Sequence, residues 1–172
     1  MKRSIAILTT SLVMLLTLGG AHPAAAGKLR VIGIVTIDGI GSVPVLSFST
    51  GVSQSITGTV SSTGMYSGQR ADFTGLTFMK ALDASSPLLF MAAVSGTHIK
   101  SARLDLYGAG STVTSSITLG DVLIASIHQG GSSAADATAE EITLNFARIQ
   151  VDYNGPNGTT SGAWDLTQNK RM

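Results

Sequence analysis

Beyond its first 30 residues, the apolar residues of this chain come in short runs with a period of two, separated by stretches rich in glycine, serine and threonine. A period of two puts successive side chains on opposite faces of an extended backbone, so the chain must build most of its structure from strands. Charged residues are scarce at 12%, and the β-branched content of the runs points the same way. Val31-Ile32-Gly33-Ile34-Val35-Thr36-Ile37 reads as a first strand, apolar on both faces and therefore shielded from bulk water on both. Asp38-Gly39 ends it as a turn.

Val43 to Gln54 reads as one second strand, with Leu46 and Phe48 directed into the core and Val45, Ser47 and Ser49 on the other face. The stretch from Gln54 to Arg70, which includes Met65 and Tyr66, is polar and rich in Gly and Ser without a sustained apolar face. It reads as a long loop, and loops of that length inside a compact domain usually have a task, so it is a candidate contact arm. Phe73 to Lys80, Ala102 to Tyr107, Ile117 to Gln129 and Ile142 to Tyr153 continue the sheet. In the last of these the apolar parity changes from Ile142, Leu144 and Phe146 to Ile149, Val151 and Tyr153, and a bulge near Ala147-Arg148 would reconcile the two halves.

One segment breaks the pattern. Asp83-Ala84-Ser85-Ser86-Pro87 opens a helix, with Ser86 as the cap and Pro87 at the first helical position, where its missing N–H costs nothing. Gly96 stops it. Leu88 to Val94, including Phe90, is apolar on nearly every side, which in so short a helix means burial against the sheet or between subunits. Bent strands, one helix and long polar connections favour a closed or nearly closed barrel over a flat sandwich.

The amino terminus speaks to compartment. Lys2 and Arg3 precede an apolar run from Ile5 to Leu18, and Ala24-Ala25-Ala26 then precedes Gly27, which is the grammar of a cleavable export signal over residues 1–26. The run is shorter than the roughly 20 residues a membrane-spanning helix needs, so no stable membrane insertion is expected. Residues 27–172 then form a single domain. Loss of Lys2 and Arg3 takes the basic count from 11 to 9 against 10 acidic residues, leaving no basic excess to attract nucleic acid. Cysteine is absent, which excludes disulfides and thiolate metal sites.

Catalysis would need a reactive group beside a tuned acid or base, and none is evident. After cleavage the imidazoles are His98 and His128, on different elements and without carboxylates at metal-ligand spacing. No nucleophile elbow and no phosphate-cradling glycine loop occurs, and no cofactor is implied. Glu140-Glu141 is the one adjacent carboxylate pair, and neighbours on a strand point to opposite faces, so it reads as a strand entrance. Asn157-Gly158-Thr159 matches a glycosylation sequon within the turn-rich stretch Asn154 to Gly162 and marks surface at most.

Several segments, taken in order, resemble the Hcp family, the tube protein of bacterial type VI secretion systems. They are Val45-Leu46-Ser47-Phe48-Ser49-Thr50-Gly51-Val52-Ser53-Gln54, then Ser85-Ser86-Pro87-Leu88 with Ser95-Gly96-Thr97-His98. Ile117-Thr118-Leu119 with Asp121 to Ile127 and Gly130-Gly131 follows, then Glu141 to Tyr153 and Trp164 to Lys170. Thr50 stands where the family commonly has an aromatic. The resemblance implies a mainly β, Hcp-like barrel with one short flanking helix, assembling as homo-hexameric rings that stack into a tube. It also implies effector cargo in the channel, a spike protein as partner, and a structural rather than enzymatic role. It makes Gln54, Met65, Tyr66 and Arg70 part of a ring-stacking loop, offers Ser47 or Ser49 as channel-lining residues, and makes Ser86, Pro87, Leu88 and Phe90 the flanking helix. The export signal departs from the family's habit of assembling inside a cytoplasmic sheath, and it implies a secreted or periplasmic protein. An exported Hcp-like surface or binding assembly, independent of any contractile machine, is the alternative. A hydrolase or sugar-binding barrel would need a site the sequence does not display.

Overall fold

A computed structural model describes residues 30–56, 68–108, 112–131 and 138–172. The export signal, and Met65 and Tyr66 of the arm, lie outside the described residues. The strands are β1 (Gly33–Ile37), β2 (Gly41–Val45), β3 (Ser47–Ile56), β4 (Gly68–Ala81), β5 (Ile99–Tyr107), β6 (Val113–Gly130), β7 (Ala139–Gly155), β8 (Gly158–Asp165) and β9 (Lys170–Arg171), with one helix, α1 (Ser86–Val94), between β4 and β5. They form one nine-stranded sheet in the order β2-β1-β5-β6-β7-β4-β3, with β8 added to β7 and β9 to β8. All pairings are antiparallel. The ladder is open: its ends, β2 and β3, do not pair. They are nevertheless one stretch of chain interrupted at Leu46, whose N–H donates to Met79 O at 2.8 Å, so the sheet curls until its ends meet.

That interruption corrects the sequence-based expectation of a single strand from Val43 to Gln54. Val43 and Val45 are fully buried, whereas Leu46 is half-buried and Phe48 packs at the edge of the core. The break at Leu46 lets β2 pair with β1 and β3 pair with β4, and it changes which parity faces inward. Gly39, at φ 78°, occupies the left-handed conformation that turns β1 back into β2, the position where a residue without Cβ is favoured.

The core is a single cluster built from Val35, Phe78, Leu104, Leu119, Ile142 and Leu144 among others. In β6 its members switch from Ile117 and Leu119 to Val122 and Ile124, and in β7 from Leu144 and Phe146 to Ile149. Both strands therefore invert at the same level, because Leu119 pairs with Ile149 and Val122 with Phe146. The change of phase expected near Ala147-Arg148 is real, but its device is different. The register is the same on either side of Gly120–Arg148, and Asp121 adopts the left-handed φ of 56°. The true register shift of this ladder lies between Ile124 and Ser126, on β6. Truncating Phe78, which is 1% exposed, to alanine is expected to cost about 3–5 kcal/mol, read as a lower urea midpoint with an unchanged m-value.

Candidate assembly surfaces

The long strand β7 has two different neighbours on one side. Residues 139–144 pair with β4, and residues 148–155 pair with β8. At the parting point Gly75 is packed so closely on β7 that a Cβ there would stand 2.7 Å from Leu144 O, so β4 leaves the ladder where only glycine fits. Among the described residues, 71–74 of β4 pair only with β3, and 158–163 of β8 only with β7. The split opens a cleft of about 770 Å³ floored by Val52, Phe73, Ile149, Val151 and Trp164. Phe73 meets Phe146 edge-on at 6.2 Å between ring centroids. Arg70 and Arg171 line the cleft, and Arg70 Nη2 donates to Leu166 O. The indole N–H of Trp164 is buried and has no acceptor among the described residues.

The sheet face opposite the core is largely polar. Thr36 and Ser42 hydroxyls lie 3.1 Å apart, and those of Thr77 and Thr143 2.9 Å apart. Arg103 Nε donates to Asp105 at 2.8 Å, and Arg103 Nη2 donates to Ser116 Oγ at 2.9 Å. Gln150 Nε2 donates to Asp152 Oδ1 at 2.9 Å. Hydrogen bonds from Ser161 and Gln150, helped by the Arg103 charge, hold the Asp152 carboxyl below its usual range against the cost of burial. Asp165 is lowered in the same direction, first by the Thr167 hydroxyl and then by the Gln168 N–H, which fixes the turn before β9.

A buried charged cluster braces the start of α1. Lys80 is fully buried on β4 directly across from Glu140 of β7, itself 1% exposed, and Nζ lies 2.7 Å from Oε2. Lys80 also reaches Ser86 Oγ at 2.8 Å and Asp83 Oδ1 at 3.0 Å, and Gln129 Nε2 donates to the second Glu140 oxygen. Burial opposes ionisation of Glu140, but the bonds from Lys80, Ser86 and Gln129 outweigh it and lower its pKa. Asp83 is lowered likewise, burial being outweighed by Ser85 and Lys80.

The residues singled out from sequence divide accordingly. Ser86 is not the helix cap: Ser85 holds that position without a side-chain cap bond, and Ser86 is the first helical residue, committed to the buried cluster. Of α1 only Ser86 and Leu89 are buried, while Leu88, Phe90, Met91 and Val94 are 52–62% exposed, so the helix does not plug the core. Gln54 and Arg70 lie on β3 and β4, which extend into the stretch expected to be loop, and Gln54 is in register with Ala71. Ser47 and Ser49 are exposed on β3, opposite Met79 and Thr77. Glu140 and Glu141 take opposite faces, one buried and one exposed. The sequon Asn157-Gly158-Thr159 lies at the tip of a tight β7–β8 hairpin rather than in a loop. His98 Nδ1 lies 3.0 Å from Asp121 Oδ1 on the surface, and His128 is exposed on β6. Among the described residues no group of three metal-ligating side chains comes together. No helix among them is long and apolar enough to cross a membrane.

The described residues define a mainly β protein, an antiparallel sheet curled on itself with one external helix. A model of the family described as "Type VI secretion system effector, Hcp" matches residues 31–153. The chain belongs to the Hcp family, the tube-protein family of type VI secretion. It is 38% identical to the protein Hcp1 of Pseudomonas aeruginosa over 104 residues, a match covering 55% of this chain and 64% of that protein. The crystal structure of Hcp1 from Salmonella typhimurium superposes with a TM-score of 0.72 at 26% identity, covering 83% of this chain and all of the other. A type VI secretion system effector from Yersinia pestis has the same fold, with a TM-score of 0.65, 24% identity and coverage of 77% and 98%.

Two outcomes follow from the buried cluster and the lowered carboxyls. Lys80→Met strands the Glu140 carboxylate and should cost about 3–5 kcal/mol in urea unfolding, most of it recovered in the Lys80→Met/Glu140→Leu double variant. Glu140, Asp152 and Asp165 bind protons less readily folded than unfolded, so their contribution is complete above the ordinary carboxylate values of 4.5 and 3.8. The urea midpoint should therefore hold steady at weakly acidic pH and fall as the pH drops through and below those values.

Proposed function

We propose that this chain is a ring- and tube-forming subunit that acts by self-association, with hexameric rings stacked into a tube that carries effector cargo. The family match across residues 31–153 carries this reading. The polar face opposite the core supports it, because a wall of hydroxyls and paired charges suits a water-filled channel. Ser47 and Ser49 share that face with Thr77 and Thr143 through the β3–β4–β7 register, which supports their place on the channel wall. The segment between Gln54 and Arg70 is the ring-to-ring arm, and effector proteins and a spike protein are the partners.

A second reading keeps the ring and removes the machine. The basic, apolar and small-residue order of residues 1–26 favours export through the membrane as an unfolded chain, followed by assembly in the periplasm or outside the cell. Native mass spectrometry of the purified mature protein should give a species of six chains, and electron microscopy should show six-fold rings; a strictly monomeric protein at high concentration refutes the ring. Amino-terminal sequencing of the exported protein should begin at Gly27, and an assembled ring that retains residues 1–26 refutes export by a cleaved signal.

A further inference from the structure

The β7–β8 hairpin contains two Asn-Gly dipeptides, Asn154-Gly155 and Asn157-Gly158. In sequence they are equivalent. An asparagine before glycine is open to attack on its side-chain amide by the next backbone nitrogen, because glycine puts no Cβ in the way and leaves the backbone free to turn.

The fold separates the two. Asn154 sits on β7 in register with Thr159. Its Nδ2 donates to Val113 O at 3.3 Å and its Oδ1 accepts from the Thr159 hydroxyl at 2.9 Å, so the amide is held at both ends. The backbone after it is screened, since a Cβ at Gly155 would stand 2.8 Å from the Tyr153 ring. Asn157 lies in the two-residue turn between Gly155 and Gly158. It is exposed, and among the described residues its side chain has no hydrogen bond. Gly158 is exposed at φ 109°, and a Cβ there would meet nothing within 4 Å.

We propose that Asn157 is a site of spontaneous deamidation, and that the fold protects Asn154 from the same reaction. The Gly158 nitrogen, its proton given to hydroxide, forms a bond to Asn157 Cγ. The C–N bond of the side-chain amide breaks, and ammonia leaves with a proton taken from water, which regenerates the hydroxide. Water then opens the resulting succinimide at either carbonyl, giving aspartate or an isoaspartyl linkage. Water is consumed and ammonia released, with no oxidant or reductant involved. Either product places a negative charge at the hairpin tip and removes the acceptor of the Asn157-Gly158-Thr159 sequon. The isoaspartyl form also routes the main chain through the side-chain methylene, so the turn lengthens and the Gly155–Gly158 pair loses its register.

The test uses the purified mature protein, aged in neutral buffer and sampled over time. Tandem mass spectrometry of the hairpin peptide locates the conversion, and enzymatic methylation counts isoaspartate. Asn157 should convert first, with Asn154 slower by about ten- to a hundredfold because its two hydrogen bonds must be released. The rate at Asn157 should rise with hydroxide concentration. In urea the two sites should convert at similar rates, which assigns the difference to the fold. Asn157→Gln, at an exposed turn position, should keep the wild-type circular dichroism and lose the fast acidic species. Equal rates in the folded protein, conversion at Asn154 first, an Asn157 that stays intact when folded, or a fast acidic species that persists in Asn157→Gln each overturn the proposal.

Discussion

The β6–β7 ladder is the constraint on which the rest of the molecule depends. It pairs residues 115–130 with 139–153, and every other strand attaches to one of these two directly or through one or two intervening strands. A ladder this long cannot keep one face on a compact core while its sheet curls, and the common inversion at Asp121 and Ala147 resolves the conflict. Backbone pairing resumes in the same register, while the inward side chains change from one parity to the other. The left-handed Asp121 carries a conformational cost that glycine would avoid, and its carboxylate is held by His98 from the segment after α1.

The position of α1 follows from charge more than from apolar contact. Leu89 is its one buried apolar side chain, and the start of the helix is tied down through Ser86 to Lys80 and Glu140. Such a cluster is weak support for stability, since apolar replacements of similar size often do as well, but its geometry is directional. It sets where the helix begins, and so which side chains the helix presents outward.

Much of the fold was legible in the residues. Alternation in β5 and in the first half of β7 reports burial correctly, as Leu104 and Ile142 show, but in the second half Val151 and Tyr153 are exposed and Asp152 is buried. Gly96 with φ 60° ends α1 as its position suggests. Alternation alone puts Val45 and Leu46 on the wrong faces, because a strand that changes partners looks continuous in sequence. Lys80 and Glu140 are 60 positions apart, and nothing local marks either as buried. The cleft was invisible for a related reason: it arises from β7 exchanging β4 for β8, and pairing partners leave no period in a sequence. Apolar saturation of α1 was visible, but period alone does not say whether such a helix is covered by its own sheet or by another chain.

The late position of β7 in the chain also bears on how the protein comes to be folded. β1 and β2 can form a hairpin early, but β4 must wait for residues 139–144, about 60 positions onward, and β1 for β5. Contacts this distant in sequence make folding slow, and they leave strands unpaired while the chain is still emerging. A chain delivered amino terminus first therefore spends most of its delivery without the strand that organises its sheet. Beyond the first 30 residues its early apolar segments are short and interrupted by Gly, Ser and Thr, a pattern that keeps the waiting domain poor in long sticky runs.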